Sequence, residues 1–169
     1  MRRYLVIAGV IGLWQAAALN GQAEPSVTPD PLLGRLVGQW TMTGTVRERP
    51  ATYRLDVTWV LQRRFIELHM QDVKHMPPLY EARVFIGADT LLSHYIAHWL
   101  DNFGAAYSVP PATGTARGDT LTLDFPYPVG AFHDTFVYDR ATDTWTIRLD
   151  AADGGGGWKR FAEYRVARR

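Results

Sequence analysis

A two-residue alternation of apolar and polar side chains recurs along this chain. Between residues 52 and 61 the odd positions are apolar or aromatic, and positions 52, 54, 56 and 58 are polar. The same alternation returns in residues 121–125 and 144–149. A period of two places one face of a strand in a core and the other in water. The pattern therefore predicts a sheet with one buried face.

Short clusters of turn-forming residues divide the chain into nine or ten such strands, one of them predicted at residues 105–109. These clusters lie at residues 87–89, 117–119 and 140–143 and in the glycine run after Asp153. No internal repeat or long charged run interrupts the spacing. The sequence predicts an all-β fold, a single antiparallel up-and-down β-barrel of about ten strands with a short N-terminal helical turn.

The first 23 residues have the features of a cleaved signal peptide. Met1-Arg2-Arg3 is positively charged, residues 4–14 form an apolar run, and Gly21-Gln22-Ala23 is a small-x-small cleavage site. The apolar run is shorter than the roughly 20 residues that span a bilayer. We therefore expect export to the periplasm or the medium, with no stable membrane insertion after cleavage. The arginine pair leaves twin-arginine export open beside the general secretory route.

After the signal peptide we expect a proline-rich linker at residues 24–31 and one barrel domain at residues 32–169. The chain contains no cysteine, which excludes disulfides, thiolate metal sites and cysteine nucleophiles. Its 18 basic and 17 acidic residues nearly cancel, so its charge gives no reason to expect a nucleic-acid partner. No serine has the sequence context of a nucleophile elbow. We expect a binding protein rather than an enzyme, with no catalytic residues and no metal.

Residues 89–104 fit either a helix or a strand. Apolar residues at positions 91, 92, 95, 96, 99 and 100 have helical spacing. On a helix, His94 and His98 would share one face and could ligate one metal ion. On a strand they would also point to one side, but roughly 13 Å apart, which is too far for a common ion. Periodicity alone leaves both conformations open.

Two motifs near the ends of the mature chain are typical of one group of barrels. Gly38-Gln39-Trp40 opens the first predicted strand, and a Trp-Lys-Arg-Phe sequence covers residues 158–161. This pairing resembles the calycin superfamily, which includes lipocalins, fatty-acid-binding proteins and nitrobindins. The whole mature chain resembles uncharacterised secreted bacterial domains of that superfamily. The resemblance also implies a strand for residues 91–101.

The resemblance implies structural roles for Gly38, Trp40 and Arg160. In the calycin superfamily the tryptophan closes one end of the barrel, and a basic residue late in the chain packs across it. Arg160 has the same strand parity as Ala162 and Tyr164 and is the candidate for that residue. A structural cation–π contact with Trp40 and a pairing with a ligand carboxylate are both open to it.

The interior of such a barrel is either filled with side chains or hollow. The predicted inward face combines large rings with a few polar groups, among them Asp134, which is the usual composition of a small-molecule site. The same rings could instead fill a core. We predict ligand contacts from these residues: Tyr53, Trp59, Tyr80, Tyr95, His98, Trp99, His133 and Arg160.

Three functions follow from these observations. The first is an exported barrel that binds a small apolar or amphipathic molecule in its interior. The alternative is a haem-binding, nitrobindin-like barrel that acts on reactive nitrogen or oxygen species, with His133 as the axial ligand. The second alternative is a structural or interaction module with a filled core.

Overall fold

The computed structural model of the protein describes residues 28–89 and 94–169, so the predicted signal peptide lies outside the described residues. A short helix precedes ten strands, and a single 3₁₀ turn, Ala105–Tyr107, lies between the fifth and the sixth. The elements are α1 Pro31–Leu36, β1 Gly38–Val46, β2 Arg49–Val60, β3 Phe65–Asp72, β4 Glu81–Asp89, β5 His94–Asp101, β6 Ala112–Arg117, β7 Thr120–Phe125, β8 Phe132–Asp139, β9 Thr144–Ala152 and β10 Trp158–Arg168.

The ten strands form a closed antiparallel barrel. Each strand pairs with the next in sequence, and β1 pairs with β10 to complete the ring, from Trp40 opposite Arg168 to Val46 opposite Ala162. The predicted all-β up-and-down barrel with an N-terminal helical turn is therefore confirmed. Residues 94–101 form a strand, as the resemblance implied, whereas residues 90–93 lie outside the described residues. No helix in the described ranges has the length and apolar character needed to cross a membrane.

Because neighbouring strands are antiparallel, their connections alternate between the two ends of the barrel. The loops at residues 47–48, 73–80, 102–111, 126–131 and 153–157 lie at one end, here called the open end. Helix α1 and the end of β10 lie at the opposite end, here called the closed end. The buried core runs between these ends on the inward faces of the strands.

Helix α1 covers the closed end because its sequence carries both a start signal and an apolar face. The Asp30 carboxylate accepts a hydrogen bond from the backbone N–H of Leu33 at 2.8 Å, and Pro31 occupies the first turn. The helix thus begins inside the predicted linker. Leu33 and Leu36 are each 1 % exposed, and the Leu36 carbonyl accepts a hydrogen bond from Trp40 Nε1 at 2.7 Å. Trp40 itself is fully buried.

Arg168, not Arg160, packs across Trp40. The Arg168 guanidinium carbon lies 3.7 Å from the centre of the Trp40 ring, and Nη1 donates to the Val37 carbonyl at 2.9 Å. Arg160 is on the outer surface, where it pairs with Asp150. The prediction that Arg160 packs across Trp40 is therefore wrong.

A β-bulge explains the error over Arg160. Arg160 pairs with Asp150, but Ala162 pairs with Leu149, so Phe161 is an extra residue in β10. Because of this extra residue, the β10 residues that precede Phe161 face the opposite way from what alternation counted back from Ala162 predicts. Parity counted back from Ala162 therefore assigns Arg160 to the wrong face.

Gly38 is required by the contact between Arg168 and Trp40. Its φ is +141°, and a Cβ on Gly38 would lie 2.1 Å from Arg168 Nη1. A side chain at this position would displace the guanidinium from the tryptophan ring. In the Gly-x-Trp motif, the glycine therefore lets Arg168 approach the backbone, and the tryptophan supplies the ring that closes the barrel.

We expect Arg168→Met to lower the free energy of unfolding by about 1–2 kcal/mol, because it removes a cation–π contact and a charged hydrogen bond while keeping the aliphatic stem. The matched variant Arg160→Met removes only surface ion pairs and should change stability by less than about 0.5 kcal/mol. Urea unfolding followed by circular dichroism measures both. Equal losses in the two variants would contradict the assignment.

The strand predicted at residues 105–109 is wrong, because this segment contains the 3₁₀ turn and the sixth strand lies at 112–117. β6 has small inward residues, Ala112 and Gly114, and therefore no visible apolar alternation. A Cβ on Gly114 would lie 2.1 Å from the Thr122 carbonyl oxygen of β7. The close approach of the β6 and β7 backbones requires small residues in β6, and these do not produce the apolar–polar alternation by which strands were predicted.

Candidate ligand-binding cavity

The barrel contains a cavity of about 640 Å³ toward its open end. Half of the residues that line it are aromatic. The lining consists of Val46, Arg47, Tyr53, Met70, Tyr80, Trp99, Asp101, Phe103, Tyr107, Phe125, Tyr127, Val129, Gly130, Phe132, Asp134, Leu149, Ala151, Ala152, Phe161 and Tyr164.

The aromatic rings of the lining support one another. Tyr53 lies edge-to-face with Tyr80 and with Tyr164, at centroid distances of 5.6 and 5.8 Å. Elsewhere in the lining, the rings of Phe132 and Phe161 are 5.2 Å apart. Each such pair contributes about 0.5–1.5 kcal/mol beyond the burial of its area. Contacts between these rings thus hold the lining side chains in place.

One wall carries a short hydrogen-bond chain that ends on a carboxylate. Trp99 Nε1 donates to the Tyr80 hydroxyl at 3.2 Å, and that hydroxyl donates to Asp101 Oδ2 at 3.3 Å. The backbone N–H of Phe103 donates to the other carboxylate oxygen at 3.0 Å. Burial raises the pKa of Asp101, and these donors partly oppose the increase.

Asp134 brings a second carboxyl group to the cavity, and this one is unpaired. Its side chain is on the inward face of β8 and is 2 % exposed. Within the described part of the chain, Oδ1 has no hydrogen-bond partner. Burial raises the pKa of Asp134 well above its ordinary value, and the nearby carboxylates of Asp150 and Asp124 raise it further. A buried polar group without a partner is rare in folded proteins and calls for an explanation.

Three of the predicted ligand contacts meet in this cavity: Tyr53, Tyr80 and Trp99. Trp59 and Tyr95 also face inward, but they lie at the closed end. The Tyr95 hydroxyl donates to Asp30, the N-cap of α1, at 2.8 Å. The Trp59 ring lies beneath Gly34 of the same helix. They are thus separated along the barrel axis from the cavity lining.

The predicted contacts His98, His133 and Arg160 are on the outer face of the barrel. His133 Nδ1 is 2.6 Å from Asp124 Oδ1 on the neighbouring strand. His98 of β5 lies opposite Phe85 of β4, and its side chain is on the face of the sheet that points away from Trp99. None of the three belongs to the lining.

The residues present do not fit a histidine-ligated haem in the cavity. All five histidines of the chain are described, and none lines the cavity. The candidate axial ligand, His133, points outward and is held by Asp124. Within residues 28–89 and 94–169, no group of three or more potential ligands is placed to hold a metal ion.

Sequence reasoning missed much of the lining, including Phe125, Tyr127, Phe132, Phe161 and Tyr164. Phe125 and Tyr164 have the inward parity of their strands, so alternation could have identified them. Phe161 reaches the interior through the bulge, and Tyr127 belongs to a loop. Alternation carries no information about these last two.

A smaller depression of about 230 Å³ lies at the closed end. Asp119 within it already pairs with Arg35 at 2.5 Å and with Arg140 at 2.6 Å. Its charged groups are therefore satisfied by one another. The large cavity is the better candidate for a binding site.

No protein-family model matches the chain, and no curated protein matches it. Among solved structures, the barrel is similar to the crystal structure of Rv2717c from M. tuberculosis, with a TM-score of 0.58 and 15 % sequence identity. The match covers 84 % of this chain and 99 % of Rv2717c. At this identity the similarity shows a shared fold alone.

Proposed function

We propose that this protein is an exported, calycin-like barrel that binds a small apolar or amphipathic molecule in its interior without transforming it. The observation that carries the proposal is the 640 Å³ cavity, half of whose lining residues are aromatic. Ligand sites are concave, are mostly apolar, and contain a few polar groups that fix orientation. Asp101 and Asp134 are such groups here.

The size of the cavity argues against a filled-core module. Protein interiors are packed so closely that voids larger than a water molecule are few. A cavity of 640 Å³ lies within the range of about 300–1,000 Å³ typical of small-molecule sites. Keeping this volume free forgoes packing that would otherwise stabilise the barrel, which supports a binding role.

The open end provides an apolar entrance. Phe103 at the cavity rim is 70 % exposed and Val129 is 57 % exposed. Met76 and Leu79, on a neighbouring loop of the same end, are also exposed. Such a rim suits a ligand whose apolar part must leave water before it enters the barrel. The export part of the proposal is supported by residues 1–23, whose charged start, apolar run and small-x-small site have the features of a signal peptide.

The cavity should bind N-phenyl-1-naphthylamine, a neutral fluorescent probe, and Ala151→Trp should weaken that binding at least tenfold. Ala151 lines the cavity, so an indole there would occupy the space that the probe needs. The matched control is Thr146→Trp, which adds the same ring to the same strand on the outward face. Fluorescence titration measures both variants.

Native-like circular dichroism spectra would show that both variants fold. The control should bind the probe as the parent protein does. Equal binding by Ala151→Trp, or no binding by the parent protein, would contradict the proposed function.

A further inference from the structure

The lining of the cavity includes a buried carboxyl group with apolar neighbours. Asp134 pairs across the sheet with Leu123 on one side and Leu149 on the other, and both leucines are buried. Neither side chain can donate a hydrogen bond to the carboxyl group. Oδ1 consequently has no partner in the described chain, although the side chain is only 2 % exposed.

The charges around the cavity are unbalanced in favour of the carboxyl groups. Asp101 and Asp134 both line it, whereas Arg47 is the one cationic residue in the described lining. The Arg47 guanidinium lies 5.1 Å from the centre of the Phe161 ring, in the turn at the open end. No described cation contacts Asp134, so an incoming ligand is the available source of positive charge.

We infer, on the basis of the proposed function, that the cavity selects ligands carrying a protonated amine, which binds the unpaired Asp134 carboxylate while the aromatic rings enclose the rest of the ligand. An ammonium group can donate three hydrogen bonds, and its positive charge favours the ionised form of Asp134, so the carboxyl proton is released to solvent when the amine binds. Aromatic faces also attract a cation. The cavity is built from both kinds of group.

The hydroxyl groups near Asp134 support the same ligand class. Tyr127 and Tyr164 line the same cavity as Asp134, and burial raises the pKa of both phenols, with a smaller contribution from the charge of Asp134. Because these hydroxyls stay protonated, their oxygens can accept hydrogen bonds from an ammonium group. A ligand carboxylate would instead lie beside two groups of its own charge, which disfavours anionic amphiphiles.

The test uses three ligands that share one aromatic skeleton: 2-(1-naphthyl)ethylamine, 2-(1-naphthyl)ethanol and 1-naphthaleneacetate. Isothermal titration calorimetry at pH 7 should give a Kd for the amine at least tenfold lower than for the alcohol, with the carboxylate weakest. In Asp134→Asn the preference for the amine over the alcohol should fall to less than about threefold. Asp124→Asn, an outer-face carboxylate of the adjacent strand, should retain the full preference.

The outcomes separate the inference from the proposed function. If the parent protein binds the alcohol or the carboxylate as tightly as the amine, the inference is wrong and the proposed function stands. If the preference for the amine survives in Asp134→Asn but disappears in Asp101→Asn, the selecting group is misassigned. If none of the three compounds binds and the neutral probe is also not bound, both proposals fail.

Discussion

Trp40→Ala is expected to lower the free energy of unfolding by about 3–5 kcal/mol, the usual cost of removing a large buried ring. The ring is fully buried at the closed end. Its indole N–H donates to the Leu36 carbonyl at 2.7 Å, and Arg168 stacks on its face at 3.7 Å. Truncation removes both contacts together with the packing of α1, so the closed end loses its cover.

Urea unfolding followed by circular dichroism measures this loss, and Trp158→Ala is the matched control. Trp158 is 53 % exposed on the outside of β10, so its removal should cost less than about 1 kcal/mol. Trp40→Phe should fall between the two, because it keeps most of the packing but loses the hydrogen bond to Leu36. Comparable losses in Trp40→Ala and Trp158→Ala would show that Trp40 does not close the barrel.

Asp134→Asn is expected to stabilise the ligand-free protein at pH 7, by an amount that grows with pH toward a ceiling of about 4 kcal/mol. Burial raises the pKa of Asp134 well above the ordinary 3.8. The folded state therefore binds a proton more tightly than the unfolded state, and stability falls as pH rises from about 4 toward the folded-state pKa. At pH 7 the loss can reach at most about 4 kcal/mol, since each pH unit contributes about 1.4 kcal/mol.

The difference in unfolding free energy between the parent protein and Asp134→Asn should therefore grow as the pH rises from 4 to 7. Other groups that interact with Asp134 are the carboxylates Asp150 and Asp124 and the phenols Tyr127 and Tyr164. All of them remain in the variant, so subtraction isolates the titration of Asp134. Urea unfolding at intervals of half a pH unit measures the difference.

Glu48→Gln is the control for the stability measurement, because Glu48 is an exposed carboxylate in the turn after β1 and is not among the groups that shift the pKa of Asp134. It should show no growing stabilisation over this range. A pH-independent difference for Asp134→Asn would contradict an unpaired, buried carboxyl group. A group that destabilises the empty barrel is consistent with selection for binding, because functional sites commonly cost stability.

The closed end and the cavity wall differ in how far the sequence could predict them. The alternation at residues 52–61 predicted a strand, and the Gly-x-Trp motif marked the barrel end that Trp40 and α1 cover. Of the predicted ligand contacts, Tyr53, Tyr80 and Trp99 reach the cavity. These positions could be predicted because local parity decides which face of a strand a side chain occupies.

The sequence by itself determined the strand periodicity, the single barrel and the inward position of most of its aromatic residues. Only the tertiary structure decided which end of the barrel is covered: Tyr53 and Trp59 share one face, but α1 packs over Trp59, whereas Tyr53 lines the cavity toward the open end. The bulge at Phe161 reversed the parity that pointed to Arg160. The isolation of Asp134 depends on Leu123 and Leu149 from two other strands. Alternation is a property of one strand, whereas depth, register and the pairing of a buried charge are set by its neighbours in the closed sheet.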